Sequence, residues 1–201
     1  MKGSKVLERL SRLNILLVSQ PDEQGQSLAR ELQHTRAAVE RRWPCPEKVG
    51  VDCDMVVCDF FAGIERRYPW VPGEATAAIV LLLPVNGSTD PDAIHAALPD
   101  ALLTRPVIPS AVVPALSLAW DHFSYHRRQS TRINQLDENI RVLRDVERAK
   151  TILMEERKIS EISAFESLRK EAMEKRTKIS TIAKWIVDSR DRRVWRYYHV
   201  I

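Results

Sequence analysis

The sequence has no Gly-rich phosphate-binding loop, no ordered catalytic triad and no cluster of metal-ligating side chains. Those gaps disfavour an enzyme, and no cofactor or metal is expected. No apolar run approaches the length needed to span a bilayer. The N-terminus, Met1-Lys2-Gly3-Ser4-Lys5 followed by Val6-Leu7-Glu8-Arg9-Leu10, is too charged for a signal-peptide core. The expectation is a cytoplasmic protein with no membrane attachment. Cysteine is scarce. Cys45, Cys53 and Cys58 are odd in number and match no zinc or redox spacing, which argues against a disulfide framework and reads as buried thiols.

What is present points to a folded chain. Of 201 residues, 44% are hydrophobic and 29% charged, enough apolar material for one large domain or two small ones. The net charge of +4 is unevenly spread. Residues 1–126 carry 12 Lys/Arg against 15 Asp/Glu, a net of −3, and residues 127–201 carry 19 against 12, a net of +7. A basic half joined to a mildly acidic one suggests a polyanionic partner for the C-terminal part, although a solvated lysine-rich helical surface gives the same sum.

In the first half, short apolar runs alternate with helical patterns. Leu13-Asn14-Ile15-Leu16-Leu17-Val18, Met55-Val56-Val57-Cys58, the run 77–83 and Ala101-Leu102-Leu103 read as buried strands, and Ala37-Ala38-Val39 as a weaker one. Residues 22–35 and 90–98 read as helices. Segment 60–76 shows little periodicity and reads as a loop or irregular helix. Strands buried on both faces and alternating with helices imply a doubly wound parallel sheet. Its chemistry belongs beyond the carboxyl ends of the strands, at Ser19-Gln20, Asp59, Pro84-Val85-Asn86 and Arg105-Pro106.

That set resembles the receiver domain of two-component response regulators, over roughly residues 12–125. Asp54 and Asp59 flank a buried strand five residues apart, as on a phosphoacceptor strand, and Arg105-Pro106 stands where a receiver has Lys-Pro. The resemblance implies a flavodoxin-like fold. Its departures imply a degenerate phosphoacceptor site. The acidic pair that would hold Mg²⁺ is replaced by Ser19 and Gln20, with Asp22 and Glu23 only after a proline, and Leu82-Leu83-Pro84 replaces the hydroxyl that reads the phosphoryl group. Arg105 differs from Lys in fork and reach. The expectation is a pseudo-receiver without Mg²⁺-dependent phosphorylation; residual phosphorylation at Asp59 is the competing reading.

After Pro114, residues 115–157 contain neither Gly nor Pro, which predicts one long helix from about residue 110. Ile133, Leu136, Ile140 and Leu143 follow the 3-4-3 spacing of a two-stranded seam among polar neighbours. A homodimer through a coiled coil is expected, the alternative being a helix that folds back on its own domain. Upstream, Leu116, Ala119, Trp120 and Phe123 form a wider face suited to docking on the α/β domain. His122 and His126, four apart, have no third ligand or glutamate base nearby in sequence and read as surface or seam histidines.

Two more helices follow. Ser160 is a good N-cap for 161–175, whose apolar face is expected to be Ile162, Phe165, Leu168, Ala172 and Met173. The next, about 178–187, turns Ile179, Ile182, Ala183, Ile186 and Val187 inward. With Ala149, Ile152 and Leu153 they make a small all-α three-helix core.

The run Ala149-Lys150-Thr151-Ile152-Leu153-Met154, then Ser160, Ala164-Phe165, Leu168-Arg169, Ala172-Met173, Ile179 and Ile182-Ala183, resembles the ANTAR family of transcription antitermination regulators in order and spacing over about residues 140–188. Thr151 stands where most members have Gly, and Arg144 is the nearest candidate for the arginine usual one turn earlier. With the degenerate receiver and coiled coil, the layout is most similar to the family's amidase-operon members. The implied domains are a receiver-like domain 1–110, a coiled-coil helix 111–145, an RNA-binding three-helix domain 140–190 and a tail 191–201.

The resemblance implies binding of paired leader-RNA hairpins so that the terminator hairpin does not form, with control by a ligand-sensing negative-regulator protein in place of a kinase. A basic helical face supplies counterion release and contact with looped bases. Candidate contacts are Lys150, Arg169 and Lys170, which match basic positions of the family, and Arg157, Lys158, Lys175, Arg176, Lys178 and Lys184. The tail Arg192-Arg193-Val194-Trp195-Arg196-Tyr197-Tyr198 alternates arginine with aromatics, a pattern that stacks on bases or packs against protein. The alternative function is a dimeric response regulator, phosphorylated at Asp59 and acting on DNA or protein. The Lys/Glu-rich helix 161–175 is a poor major-groove reader.

Overall fold

The structure is a computed structural model that describes residues 5–48, 52–71, 73–85 and 90–198, with backbone alone for 191–198. The chain forms two compact units, residues 1–128 and 129–201. No helix among the described residues is long and apolar enough to cross a membrane.

The first unit holds a five-stranded parallel sheet. Its strands are β1 (Asn14–Val18), β2 (Ala38–Arg42), β3 (Met55–Asp59), β4 (Ala78–Leu83) and β5 (Ala101–Thr104), in the order β2-β1-β3-β4-β5. This is the doubly wound 2-1-3-4-5 arrangement, whose switch point lies between β1 and β3. Strands β1, β3 and β4 are apolar over residues 15–18, 55–58 and 78–83 because both faces are covered there. One face carries Ile15, Leu17, Met55, Val57, Val80 and Leu82, packed with Leu28 and Leu32 of α2 (Glu23–His34). The other carries Leu16, Val18, Val56, Ile79 and Leu81, packed with Ile64 and Ala97. Edge strand β2 is mostly exposed, with Glu40, Arg41 and Arg42 in solvent. The segment 60–76 contains a short 3-10 helix, Ile64–Arg67. Helices α1 (Lys5–Leu10) and α3 (Pro91–Ala97) complete the covering layers.

The turn from β1 into α2 is closely packed. The Asp22 side chain caps α2 by accepting from the Gly25 N–H. A Cβ on Gly25 would collide with the Gln20 carbonyl oxygen, a backbone atom that cannot swing aside. Gly25→Ala should therefore destabilise this unit by about 1–3 kcal/mol through overpacking. Urea unfolding followed by near-ultraviolet signals of the sheet would measure it; an unchanged midpoint would show that the turn is looser than described.

One helix, α4 (Pro109–Arg157), contributes to both units. Its first turns bury Val112, Leu116, Ala119 and Phe123 against the sheet core, with Trp120 partly covered. That packing carries the first unit to Arg128, past the expected limit at residue 110.

The second unit packs the end of α4 with α5 (Glu161–Glu174) and α6 (Ile179–Tyr198). Ser160 caps α5, its side chain accepting from the Ser163 N–H. The core is Val146, Ala149, Ile152 and Leu153 from α4, Ala164, Leu168 and Ala172 from α5, and Ile182, Ala183, Ile186 and Val187 from α6. Four alanines let the helices approach closely. The face expected for α5 is corrected here. Leu168 and Ala172 are buried, but Ile162, Phe165 and Met173 are exposed. The inward face instead runs Ala164, Leu168, Ala172, at steps of four. Helix α6 is also longer than expected, continuing from residue 187 through Tyr198.

Candidate functional site

At the carboxyl end of the sheet, the degenerate phosphoacceptor residues converge on one cation. Arg105 follows β5. Its Nη2 lies 2.8 and 3.1 Å from the two Asp59 oxygens, and its Nε lies 3.2 Å from Asp59 Oδ1. Nη2 also donates to the Ser19 hydroxyl at 2.9 Å, and Nη1 to Asp22 at 2.7 Å. The Gln20 backbone N–H donates to the second Asp59 oxygen at 2.8 Å. The Asp59 and Arg105 side chains are only 14% and 12% exposed. The guanidinium thus takes the donor positions around the carboxylate with a planar fork that one lysine ammonium cannot reproduce.

Burial pulls the Arg105 pKa down, but the hydrogen bonds and charges of Asp59 and Asp22 outweigh it and leave it above its ordinary value. The Asp22 carboxyl is held below the usual range, first by the Gly25 N–H and then by Arg105. Asp54 accepts from the Asn14 N–H at the opposite end of β3 and takes no part. Asp22 is the member that the sequence reading set aside, and its signal was the capping position it holds. Asn86 lies outside the described residues.

On α4 the expected seam residues Ile133, Leu136, Ile140 and Leu143 lie in one row and are 47–64% exposed. No core of their own unit covers them.

In the second unit, Arg157, Lys158, Arg169, Lys170, Lys175, Arg176, Lys178 and Lys184 are all exposed. Lys150 is more covered than these. Its side chain is 11% exposed, and its ammonium is held by Glu161 at 2.6 Å and Glu147 at 2.9 Å. The hydrogen bonds it donates to Glu161 and Glu147 raise its pKa, and the Glu161 carboxyl is lowered in return. Lys150 therefore ties α4 to α5 through two carboxylates that are themselves largely exposed.

An apolar stripe that sequence reasoning placed in the core lies in solvent. Ile162, Phe165, Arg169 and Met173 follow one another at steps of three and four on the same face of α5. The apolar three are 74%, 45% and 69% exposed. Nearby in the fold, Trp185 of α6 is exposed, with the Lys175 ammonium 5.1 Å from its ring centroid. Lys158 and Arg176 both hold left-handed backbone at helix ends, φ 55° and 50°, where glycine is the relaxed choice. At the end of α5, Arg176 and Thr177 close a Schellman pair of hydrogen bonds to Met173 and Ala172. The side chains of 192–198 lie outside the described residues.

Residues 134–187, the segment that builds this small core and its exposed stripe, match the ANTAR domain. The chain carries an ANTAR domain. The second unit is built around it, and α4 supplies its first helix. Over 189 residues, 92% of this chain and 95% of its relative, the protein is 25% identical to the aliphatic amidase regulator of Pseudomonas aeruginosa. The response regulator StyR matches with a TM-score of 0.53 at 13% identity, over 88% of this chain and 98% of that one. At that identity the likeness is one of fold. The first unit is receiver-like, and the chain couples it to the ANTAR domain through one long helix.

Proposed function

We propose that this protein is an RNA-binding transcription antitermination regulator, in which the ANTAR domain grips the looped bases of leader-RNA hairpins and so disfavours the terminator hairpin. The observation that carries this reading is the exposed Ile162–Phe165–Arg169–Met173 stripe, set in a strongly basic unit. A core-forming helix has no use for an isoleucine, a phenylalanine and a methionine in water. Unpaired RNA bases have a direct use for them, since splayed bases stack on aromatic and apolar side chains while nearby cations meet the phosphates. The aliphatic amidase regulator, similar over nearly its whole length, supports the same class of function.

The α4 seam joins two copies in a homodimer, and this would present two such faces to paired hairpins. The receiver-like unit acts without phosphorylation, because Arg105 already neutralises Asp59. Control then comes from a ligand-sensing protein that docks on that unit and restrains the dimer.

Filter binding of the full chain to hairpin RNA and to duplex DNA, over a range of salt, tests the reading. Preference for the hairpin loop with a steep salt dependence is expected; preference for duplex DNA, or indifference to RNA at low ionic strength, overturns it. Phe165→Ala should weaken hairpin binding by about 1–3 kcal/mol for each base it stacks, while the unit stays folded, since Phe165 is 45% exposed and its truncation should cost about 1–1.5 kcal/mol of stability. Incubation with a small phosphodonor and Mg²⁺ should leave the intact mass unchanged, whereas one added phosphoryl group would restore the kinase-controlled alternative.

A further inference from the structure

His122 and His126 stand one turn apart on α4, and their rings meet at 67° with Nε2 atoms 3.0 Å from each other. A third residue fixes this pair. Asp100, just before β5, is anchored to the sheet twice: its Oδ2 accepts from the Ile79 N–H, and its own N–H donates to the Ile79 carbonyl, both at 2.8 Å. Its Oδ1 lies 2.8 Å from His122 Nδ1. A carboxylate can only accept, so Nδ1 carries the proton and the lone pair of His122 is left on Nε2, aimed at His126. This is the carboxylate–histidine support that orients metal-ligating imidazoles. Two imidazole nitrogens bound to one tetrahedral zinc ion stand about 3.3 Å apart, close to the spacing already present.

Both rings are exposed. Among the described residues, no cluster of three or more potential ligands converges within one chain, so the rest of a coordination sphere comes from outside it. The seam indicates from where. Counting back by sevens along α4, Ile133 leads to His126, and Leu136 leads by two steps to His122. The histidines fall on the same two heptad rows, with Gln129 between His122 and Leu136. In a parallel dimer, a twofold axis along that seam would bring four Nε2 atoms together.

We infer that His122 and His126 of two copies form a shared tetrahedral site for a borderline divalent transition metal, with Asp100 as the positioning residue. The inference rests on the homodimer reading. Imidazole-only coordination suits zinc, copper or nickel over magnesium or calcium.

Zinc is the probe. Titration calorimetry on the full chain should give one zinc ion per two chains, and cobalt(II) should develop the intense visible absorption of four-coordinate geometry. Sedimentation should show the dimer persisting to at least tenfold lower protein concentration with zinc. His126→Ala should abolish uptake while circular dichroism stays unchanged, and Asp100→Asn should weaken it about tenfold to a hundredfold with the dimer retained. One ion per chain, or uptake that survives the His122→Ala/His126→Ala double substitution, overturns the site. A dimer that ignores zinc also overturns it and leaves the homodimer standing. A protein monomeric at every concentration, with or without zinc, removes both.

Discussion

Leu168→Ala should unfold the ANTAR domain at physiological temperature while the receiver-like unit keeps its structure. Leu168 is fully buried at the centre of a core of eleven side chains, four of them alanine. Its truncation removes apolar contact and leaves a cavity, at a cost of about 2–5 kcal/mol. A unit this small holds a margin of similar size. Differential scanning calorimetry of the full chain should lose the transition that belongs to residues 129–201 and retain the other. Ile162→Ala, on the same helix, removes a comparable aliphatic group from solvent and should cost less than about 0.5 kcal/mol. Equal losses from the two substitutions would mean that the inward face of α5 has been assigned wrongly.

The second large effect is expected at Arg105. Arg105→Met keeps the length of the side chain and removes its donors, which leaves Asp59 mostly buried with only the Gln20 N–H and no countercharge. Stranding one partner of a buried pair costs about 3–5 kcal/mol. Here Asp22 keeps a wet edge at 42% exposure, so about 2–4 kcal/mol is the expected loss, read as a lower denaturation midpoint of the first unit. Arg105→Lys should fall between, since one ammonium cannot serve Asp59, Asp22 and Ser19 together. Acidification should reproduce a small part of the loss. The folded Asp22 pKa lies below its ordinary 3.8, so its contribution is complete above that value and disappears as the pH falls through the folded pKa.

Much of the fold was legible in the sequence for a physical reason. Strands β1, β3 and β4 are buried on both faces, so they stand out as apolar runs bounded by breakers. Strand β2 was faint because it is an edge whose Glu40, Arg41 and Arg42 face water. Pro114 is the sixth residue of α4 and removes one N–H from its ladder, yet the helix continues through it. The face of α5 was misread because side-chain size was taken as the signal. Ile162, Phe165 and Met173 have the helical period, but the close approach of three helices calls for Ala164, Leu168 and Ala172. Sequence inspection therefore placed in the core the residues that mark the candidate interface. At the sheet end it named Asp59, Ser19, Gln20 and Arg105, but proline 21 drew attention away from Asp22. A hydrogen-bond fork joining β1, β3 and β5 depends on long-range register, which no local pattern encodes. Helix α6 beyond residue 187 was missed because charged residues there break the apolar period.

Leaving Ile162, Phe165 and Met173 wet has a further cost for the protein in its idle state. On the proposed function, the protein concentrated without RNA should tend to self-associate and to attract chaperones or proteases, and added hairpin RNA should suppress both. Supply of the ligand would then govern how long each molecule lasts as well as what it does.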